Sequence, residues 1–282
     1  MKILVTGGAG RLGQRVIKLL SEKGYSVVAF DLPQVNWDPL LSIENVETYQ
    51  GDITSRDDAS EAVKEVEGII HLAAVLPPMS ERDKELTERV NVEGTSNLIA
   101  ASAENAKILL ASSISVYGIT EKESPPIKED HPLAPHNNYS RSKIEAERIV
   151  KDSGNPYMIL RIAPVSVVDL VELPNVVPYR SNQRVEFVLD EDAAVAIVNG
   201  IDWDKDEVFN IAGGKTWQMR GEHYIDRFYD ALGVEVDPVY SENYTAVDWY
   251  DSSKSRVLSY QETSFMEFEG KLVALAEEMG LR

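Results

Sequence analysis

The chain contains no cysteine, which excludes disulfides, thiolate metal sites and a thiol nucleophile together. Positive charge is scarce. Lys and Arg number 28 against 47 Asp and Glu, for a formal net charge of -19. Such a surface repels nucleic acid and anionic membranes and reads as a solvated acidic exterior. Any anionic cofactor must then rely on a few well-placed cations. Long hydrophobic runs are missing as well: every candidate is broken within about ten residues, too short to span a bilayer. The opening Met1–Gly7 is too short for a secretory leader and runs straight into glycines, so a cytoplasmic location is expected. No internal repeat or low-complexity linker is visible. With 282 residues, 43% of them hydrophobic, the chain can bury a sizeable core in one or two domains.

The first half alternates two patterns. Short apolar runs at 2–6, 26–30, 68–72, 107–112 and 157–161 read as strands, as does 46–50, which ends at Gly51-Asp52. Between them lie helical spacings: from Gly10 to a basic turn and glycine stop at Lys23-Gly24, over 57–66, over a long stretch 81–106, and from Tyr139 to about Ser153. Strands separated by helices imply right-handed crossovers and a parallel sheet. The expected fold is α/β, a Rossmann-type doubly wound parallel sheet with a small C-terminal substrate-binding lobe. Residues 1–165 would form the NAD-binding part. Residues 166–282 would form the lobe, with segments returning to the sheet. There the reading is a strand at 184–189, a helix at 190–201, a strand at 209–212, and helices at 217–232 and 263–279.

Gly7, Gly10 and Gly13 sit between the first strand and the first helix, with Arg11 and Leu12 among them. Glycines at that spacing allow a tight turn and close backbone approach to a pyrophosphate, which the free N–H groups of the helix start attract. Asp31 ends the second strand, where a carboxylate accepts hydrogen bonds from the adenosine ribose and repels a 2′-phosphate. The next residues, Leu32-Pro33-Gln34, hold no arginine. NAD is the expected cofactor. Asp52-Ile53 follows the third strand, where the carboxylate either meets the adenine or serves a turn. His71 reads as a packed histidine, and Leu72, Ala73 and Ala74 leave room for the cofactor.

Tyr139 and Lys143 lie one helical turn apart. An ammonium there, together with a positive nicotinamide, would pull the phenol down from about 10 and make it a usable base. Ser113 ends a strand. No metal site is expected.

Gly7 to Gly13, Asp31, Asp52-Ile53, His71 to Ala74, Ser112-Ser113-Ile114-Ser115-Val116-Tyr117-Gly118 and Tyr139 to Lys143 come in one order and spacing. In this the chain resembles the extended short-chain dehydrogenases, and among them the nucleotide-sugar epimerase/dehydratase family. The resemblance is strong over 1–165 and thin afterwards. It implies that Tyr139 takes a proton from a substrate hydroxyl while hydride leaves for NAD. Lys143 would hold the nicotinamide ribose, and Ser113 the reacting oxygen. Asn91 matches a position near the cofactor, with a helix-surface amide as the alternative. Tyr117 matches an aromatic near the substrate, with a core tyrosine as the alternative. Ser112 reads as structural.

Related dehydratases carry an Asp-Glu pair, and related decarboxylases a Glu, just after the catalytic serine position. Ile114 and Ser115 offer no carboxylate, so neither dehydration nor decarboxylation is expected. The resemblance further implies that Arg184 binds a substrate diphosphate. A second arginine expected in 242–249, before Asp251-Ser252-Ser253-Lys254, is missing. Arg180, Lys215 and Arg220 are the substitutes in view. The expected activity is NAD-dependent epimerisation of a nucleotide sugar at C4 through a transient keto sugar. The alternatives are a dehydrogenase of a smaller sugar, uronate or amino alcohol, and a non-catalytic NAD sensor. A homodimer through the 81–106 and Tyr139 helices is the implied assembly.

Overall fold

A computed structural model of the chain describes residues 1–170 and 173–282. Seven parallel strands form one sheet in the order β3 (Val46–Gln50), β2 (Ser26–Asp31), β1 (Lys2–Thr6), β4 (Gly68–His71), β5 (Lys107–Ser113), β6 (Tyr157–Ile162) and β10 (Glu207–Ile211). The order reverses between β1 and β4, which opens a crevice at the carboxyl ends of the strands.

Both faces of the sheet are covered, and the apolar alternation along single strands shows how. Ile3 and Val5 of β1 join a core with Ile17 and Leu20 of α1 (Arg11–Glu22) and Ile197 of α7 (Asp190–Ile201). Leu4, pointing the other way, joins Leu98 of α5 (Gly94–Ala101) and Ala146 and Val150 of α6 (Asn138–Asp152). The short α2 (Arg56–Ala62) packs against α5 on that same side. A third core lies in the C-terminal part, where Trp217 sits between Phe265 and Phe268 at 5.1 and 5.0 Å. It is closed by α8 (Gly221–Leu232) and α9 (Phe265–Glu278).

The helix expected over 81–106 is broken. It consists of α3 (Met79–Arg82), α4 (Lys84–Glu88), a π-turn over Arg89–Glu93, and α5, which ends at Ala101. Asp83 leaves helical geometry at φ -129° and ψ 88°, and its carboxylate caps the next segment by accepting from the Leu86 N–H at 2.8 Å. An aspartate that competes for backbone donors ends one helix and starts another. The strand expected over 184–189 is also two pieces. β8 (Arg184–Val185) pairs antiparallel with β11 (Met219–Arg220), whereas β9 (Val188–Leu189) pairs parallel with β7 (Val165–Ser166). The helix expected from Trp217 begins at Gly221, because 217 is a buried side chain in a preceding 3₁₀ turn. Among the described residues, no helix is long and apolar enough to cross a membrane.

Candidate functional site

A cavity of about 1310 Å³ runs along the carboxyl ends of the strands. At one end it is floored by the glycine loop. Gly7 has φ +68°, and a Cβ there would lie 3.0 Å from the Ala73 nitrogen. A Cβ on Gly13 would stand 2.2 Å from the Gly7 carbonyl oxygen, so only hydrogen fits. Helix α1 starts at Gly10 with no side-chain cap and no acidic residue in its first turn. Its N–H groups and partial positive charge face the cavity open to an anion. Arg11 lines the loop and pairs with Asp169 at 2.5 Å.

Asp31 is fixed by its own neighbours: Oδ2 accepts from the Ala9 N–H at 3.0 Å and Oδ1 from the Leu32 N–H at 2.8 Å. It lines the cavity, followed there by Leu32, Gln34 and Val35, none of them basic. Asp52 and Ile53 line the cavity as well, and the Asp52 carboxylate also accepts from the Thr54 N–H at 2.8 Å, so the turn role and the cavity position coexist. Leu72, Ala73 and Ala74 complete this wall. Thr6, which sequence reasoning overlooked, holds them. Its hydroxyl accepts from the Leu72 and Ala73 N–H groups at 3.2 and 3.1 Å and meets His71 Nδ1 at 2.7 Å. His71 is buried, and burial with the nearby Lys143 charge pulls its imidazole down to about 3, so it stays neutral and structural.

Ser113, Tyr139 and Lys143 meet in the same cavity. Ser113 is the last residue of β5, and Ile162 of β6 is its register partner. Tyr139 and Lys143 project from the first turns of α6. Asn137 caps that helix by accepting from the Ser140 N–H at 2.8 Å, and the Ser140 hydroxyl accepts from the Asn137 N–H at 3.1 Å. Glu81 adds a second cap, accepting from the Asn138 and Tyr139 N–H groups at 3.0 Å each. No local pattern announces Glu81, because it reaches α6 from α3, 57 positions earlier in the chain.

The Lys143 ammonium donates to the Ala111 carbonyl at 2.8 Å. Burial draws it down to about 8, against the pull of the Glu147 carboxylate. Tyr139 keeps part of its surface open to the cavity but is densely surrounded. Burial pushes its phenol up to about 12, with the Ser113 hydroxyl acting the other way. The expected lowering of the phenol by the ammonium is therefore not present in the protein by itself. Desolvation of the phenolate outweighs a charge directed at a backbone carbonyl.

Three residues expected at the site lie off it. Tyr117 is buried in the core; its hydroxyl donates to Asn210 Oδ1 at 2.6 Å and accepts from Arg161 at 3.0 Å. Asn91 is buried rather than on a helix surface. It binds both backbone groups of Val75, at 2.7 and 3.1 Å, and so positions a cavity wall without lining it. Arg184 is clamped by Asp248, at 2.5 Å through Nε and 2.8 Å through its terminal nitrogen, and also donates to the Thr120 carbonyl at 3.1 Å. Its side chain is 15% exposed, does not line the cavity, and commits Nε and one terminal nitrogen to Asp248. The substitutes do not line the cavity either: Arg180 pairs with Glu121 at 2.6 Å, Arg220 lies over Trp249, and Lys215 sits in the 3₁₀ turn over Lys215–Trp217. Ser112 is structural, donating to Glu147 at 2.7 Å. Among the described residues, no group of three or more acidic or histidine side chains could hold a metal ion.

Residues 3–166 match the NAD dependent epimerase/dehydratase family. The chain is 34% identical over 197 residues to sterol-4-alpha-carboxylate 3-dehydrogenase, decarboxylating, of Homo sapiens, a match that covers 66% of this chain and 50% of that protein. The chain thus spans about half the length of the mammalian relatives it matches. It is 30% identical over 261 residues to the putative UDP-glucose 4-epimerase of Methanocaldococcus jannaschii, covering 83% of this chain and 82% of that one. In structure it is similar to the Thermus thermophilus UDP-glucose 4-epimerase complex with NAD, with a TM-score of 0.83 at 19% identity, over 98% of this chain and 99% of that one.

Proposed function

Because the chain belongs to the NAD dependent epimerase/dehydratase family, we propose that it is a dehydrogenase that oxidises a secondary alcohol lacking a diphosphate and releases the ketone. The observation that carries this reading is the Arg184–Asp248 clamp. With it, the C-terminal wall of the cavity offers no basic side chain among the described residues. The cations that line the cavity are Arg11, Arg89 and Lys143, and all three belong to the glycine loop, the 79–101 helical stretch or α6.

The residues fit a dinucleotide. The Gly7–Gly13 turn and the start of α1 would hold the pyrophosphate, and Asp31 the adenosine ribose. Asp52 and Ile53 would border the adenine, and Tyr139 and Lys143 the nicotinamide ribose. NAD, when bound, supplies the hydride acceptor and a positive charge beside Tyr139. Ser113 donates a hydrogen bond to the substrate oxygen, and Tyr139 takes the hydroxyl proton as the carbon is oxidised. Lys143 stabilises the phenolate, and Ala111 fixes the ammonium in place.

The second reading is epimerisation of a nucleotide sugar, favoured by the match along 82% of the archaeal relative. The ketone then stays in the site and is reduced from its other face. Incubation with NAD and a panel of nucleotide sugars, free sugars, uronates and amino alcohols separates the two. NADH accumulating in step with an oxidised product supports the dehydrogenase. A stereoisomer of a nucleotide sugar, formed with no net NADH, overturns it.

A further inference from the structure

The C-terminal side of the cavity is built from Val167, Pro178, Tyr179, Phe187, Ala246 and Val247. None of these carries a charge. Phe187 is braced from behind by Tyr224, stacked at 4.3 Å and 17° between planes, and Tyr179 tilts against it at 6.1 Å. Two packed aromatic rings, Tyr179 and Phe187, thus stand among the aliphatic side chains of this wall. Thr245 lies at its edge, and the polar lining groups at the reacting end are Ser112, Ser113, Ser115, His136, Asn137, Tyr139 and Lys143. The one ionised side chain on this side is Asp190, whose carboxylate is held by Arg15 at 2.7 Å, and its sign would oppose an anionic substrate.

Apolar surface also continues to the mouth. Leu76 is 56% exposed and Val165 41% exposed, and both line the cavity. Large apolar side chains left in water at a concave site gain free energy when a ligand covers them. Polar groups confined to one end of an otherwise apolar pocket fix orientation, while the apolar walls supply affinity.

We propose that the non-reacting part of the substrate is a hydrocarbon ring or chain packed on the wall formed by Val167, Tyr179, Phe187 and Val247. This rests on the dehydrogenase reading and names its substrate class: a hydrophobic secondary alcohol, with its carbinol at Ser113 and Tyr139 and its carbon skeleton against Phe187. In the reaction the carbinol C–H bond breaks and its electron pair leaves as hydride to NAD. The O–H proton goes to the Tyr139 phenolate, whose own proton has already passed to solvent, and the product is the ketone with NADH.

The test uses the full chain with NAD. Cyclohexanol, 2-hexanol, 2-octanol and 2-decanol are compared with galactose, myo-inositol and UDP-glucose, following NADH by absorbance. In parallel, tryptophan fluorescence of the NAD-loaded protein reports binding of each compound. The expected result is NADH from the alkanols, with kcat/KM rising about fourfold per added methylene, as burial of apolar surface requires. Phe187→Ala lowers kcat/KM for 2-decanol about tenfold and leaves NAD affinity unchanged. Removing the Tyr224 stack could unfold the lobe, so Val247→Asp is the second variant, with the same expected loss. Higher kcat/KM for galactose or myo-inositol overturns the hydrophobic substrate and leaves the dehydrogenase standing, whereas higher kcat/KM for UDP-glucose overturns both. Saturable 2-decanol binding that Val247→Asp weakens, with no NADH from any compound, keeps the hydrophobic ligand and overturns the oxidation. Absence of both binding and turnover for the alkanols overturns the inference.

Discussion

The ammonium of Lys143 lies 5.9 Å from the centre of the Tyr139 ring and donates to the Ala111 carbonyl rather than to the phenol. Both groups are held away from their ordinary ionisation ranges by burial, in opposite directions, and this has a measurable consequence for stability. Burial lowers Lys143 from 10.5 to about 8, so between those values the unfolded chain binds more protons at this position than the native one. Stability from this site therefore rises as pH rises through that window. Tyr139, raised from 10.0 to about 12, opposes it only from pH 10 upwards. The urea midpoint should climb between pH 8 and pH 10, and Lys143→Met should flatten that climb. An identical slope in the variant would place the titration elsewhere.

Tyr139→Phe removes the only hydroxyl of that side chain and little volume. Turnover should fall by about 10²–10⁴-fold, the usual contribution of a general base. NAD affinity, measured by fluorescence quenching, should stay within about twofold, since the pyrophosphate and ribose contacts assigned to the glycine loop and Asp31 remain. Unimpaired turnover would remove Tyr139 from the chemistry.

Arg184→Ala should act on the fold rather than on ligand affinity. Asp248 is fully buried and Arg184 only 15% exposed, so removal of the arginine strands a carboxylate in the interior. Breaking such a pair costs about 3–5 kcal/mol. The Thr120 and Tyr244 hydroxyls, which donate to Asp248 at 2.7 and 3.1 Å, place the loss at the lower end. Denaturant melts of the variant should show it. A variant of unchanged stability with weakened binding of UDP would instead return Arg184 to a diphosphate.

Gly13→Ala should damage the cofactor site. The added methyl would meet the Gly7 carbonyl at 2.2 Å and the Gly8 backbone at 2.8 Å, and backbone cannot rotate away as a side chain can. Overpacking of this kind costs about 1–3 kcal/mol, and here it moves the turn that faces the pyrophosphate. Titration with NAD should show about a tenfold weaker complex. Full affinity in the variant would mean that the loop has slack.

How far the sequence foretold this depends on the range of the interactions. Apart from β3, the strands β1 to β6 are short, largely apolar runs, and that pattern is local. Tyr139, Lys143 and the glycine loop were legible because their spacing carries the geometry. The Asp83 break was present as a helix-capping residue within the 81–106 stretch, but hydrophobic periodicity alone passes over it. Arg184 could not be placed from its neighbours in the chain, because its partner Asp248 lies 64 positions away. Glu186 is another case. It is fully buried two residues later and accepts from the Gly214 and Tyr250 N–H groups at 2.9 and 2.8 Å, tying β8 to two remote loops. Strands of two residues, such as β7 and β9, have no periodicity to read.

The seventh strand of the sheet has a consequence for how the protein can be made and divided. β10 pairs with β6 from Glu207↔Met158 to Ile211↔Ile162, yet it arrives only after the chain has passed through the 166–206 region. Until then β6, buried from Met158 to Ile162 in the finished protein, presents an unpaired apolar edge. A nascent chain on the ribosome would hold that edge open during synthesis of the following segment. A gene cut near residue 165 would give an aggregating fragment instead of an autonomous nucleotide-binding module.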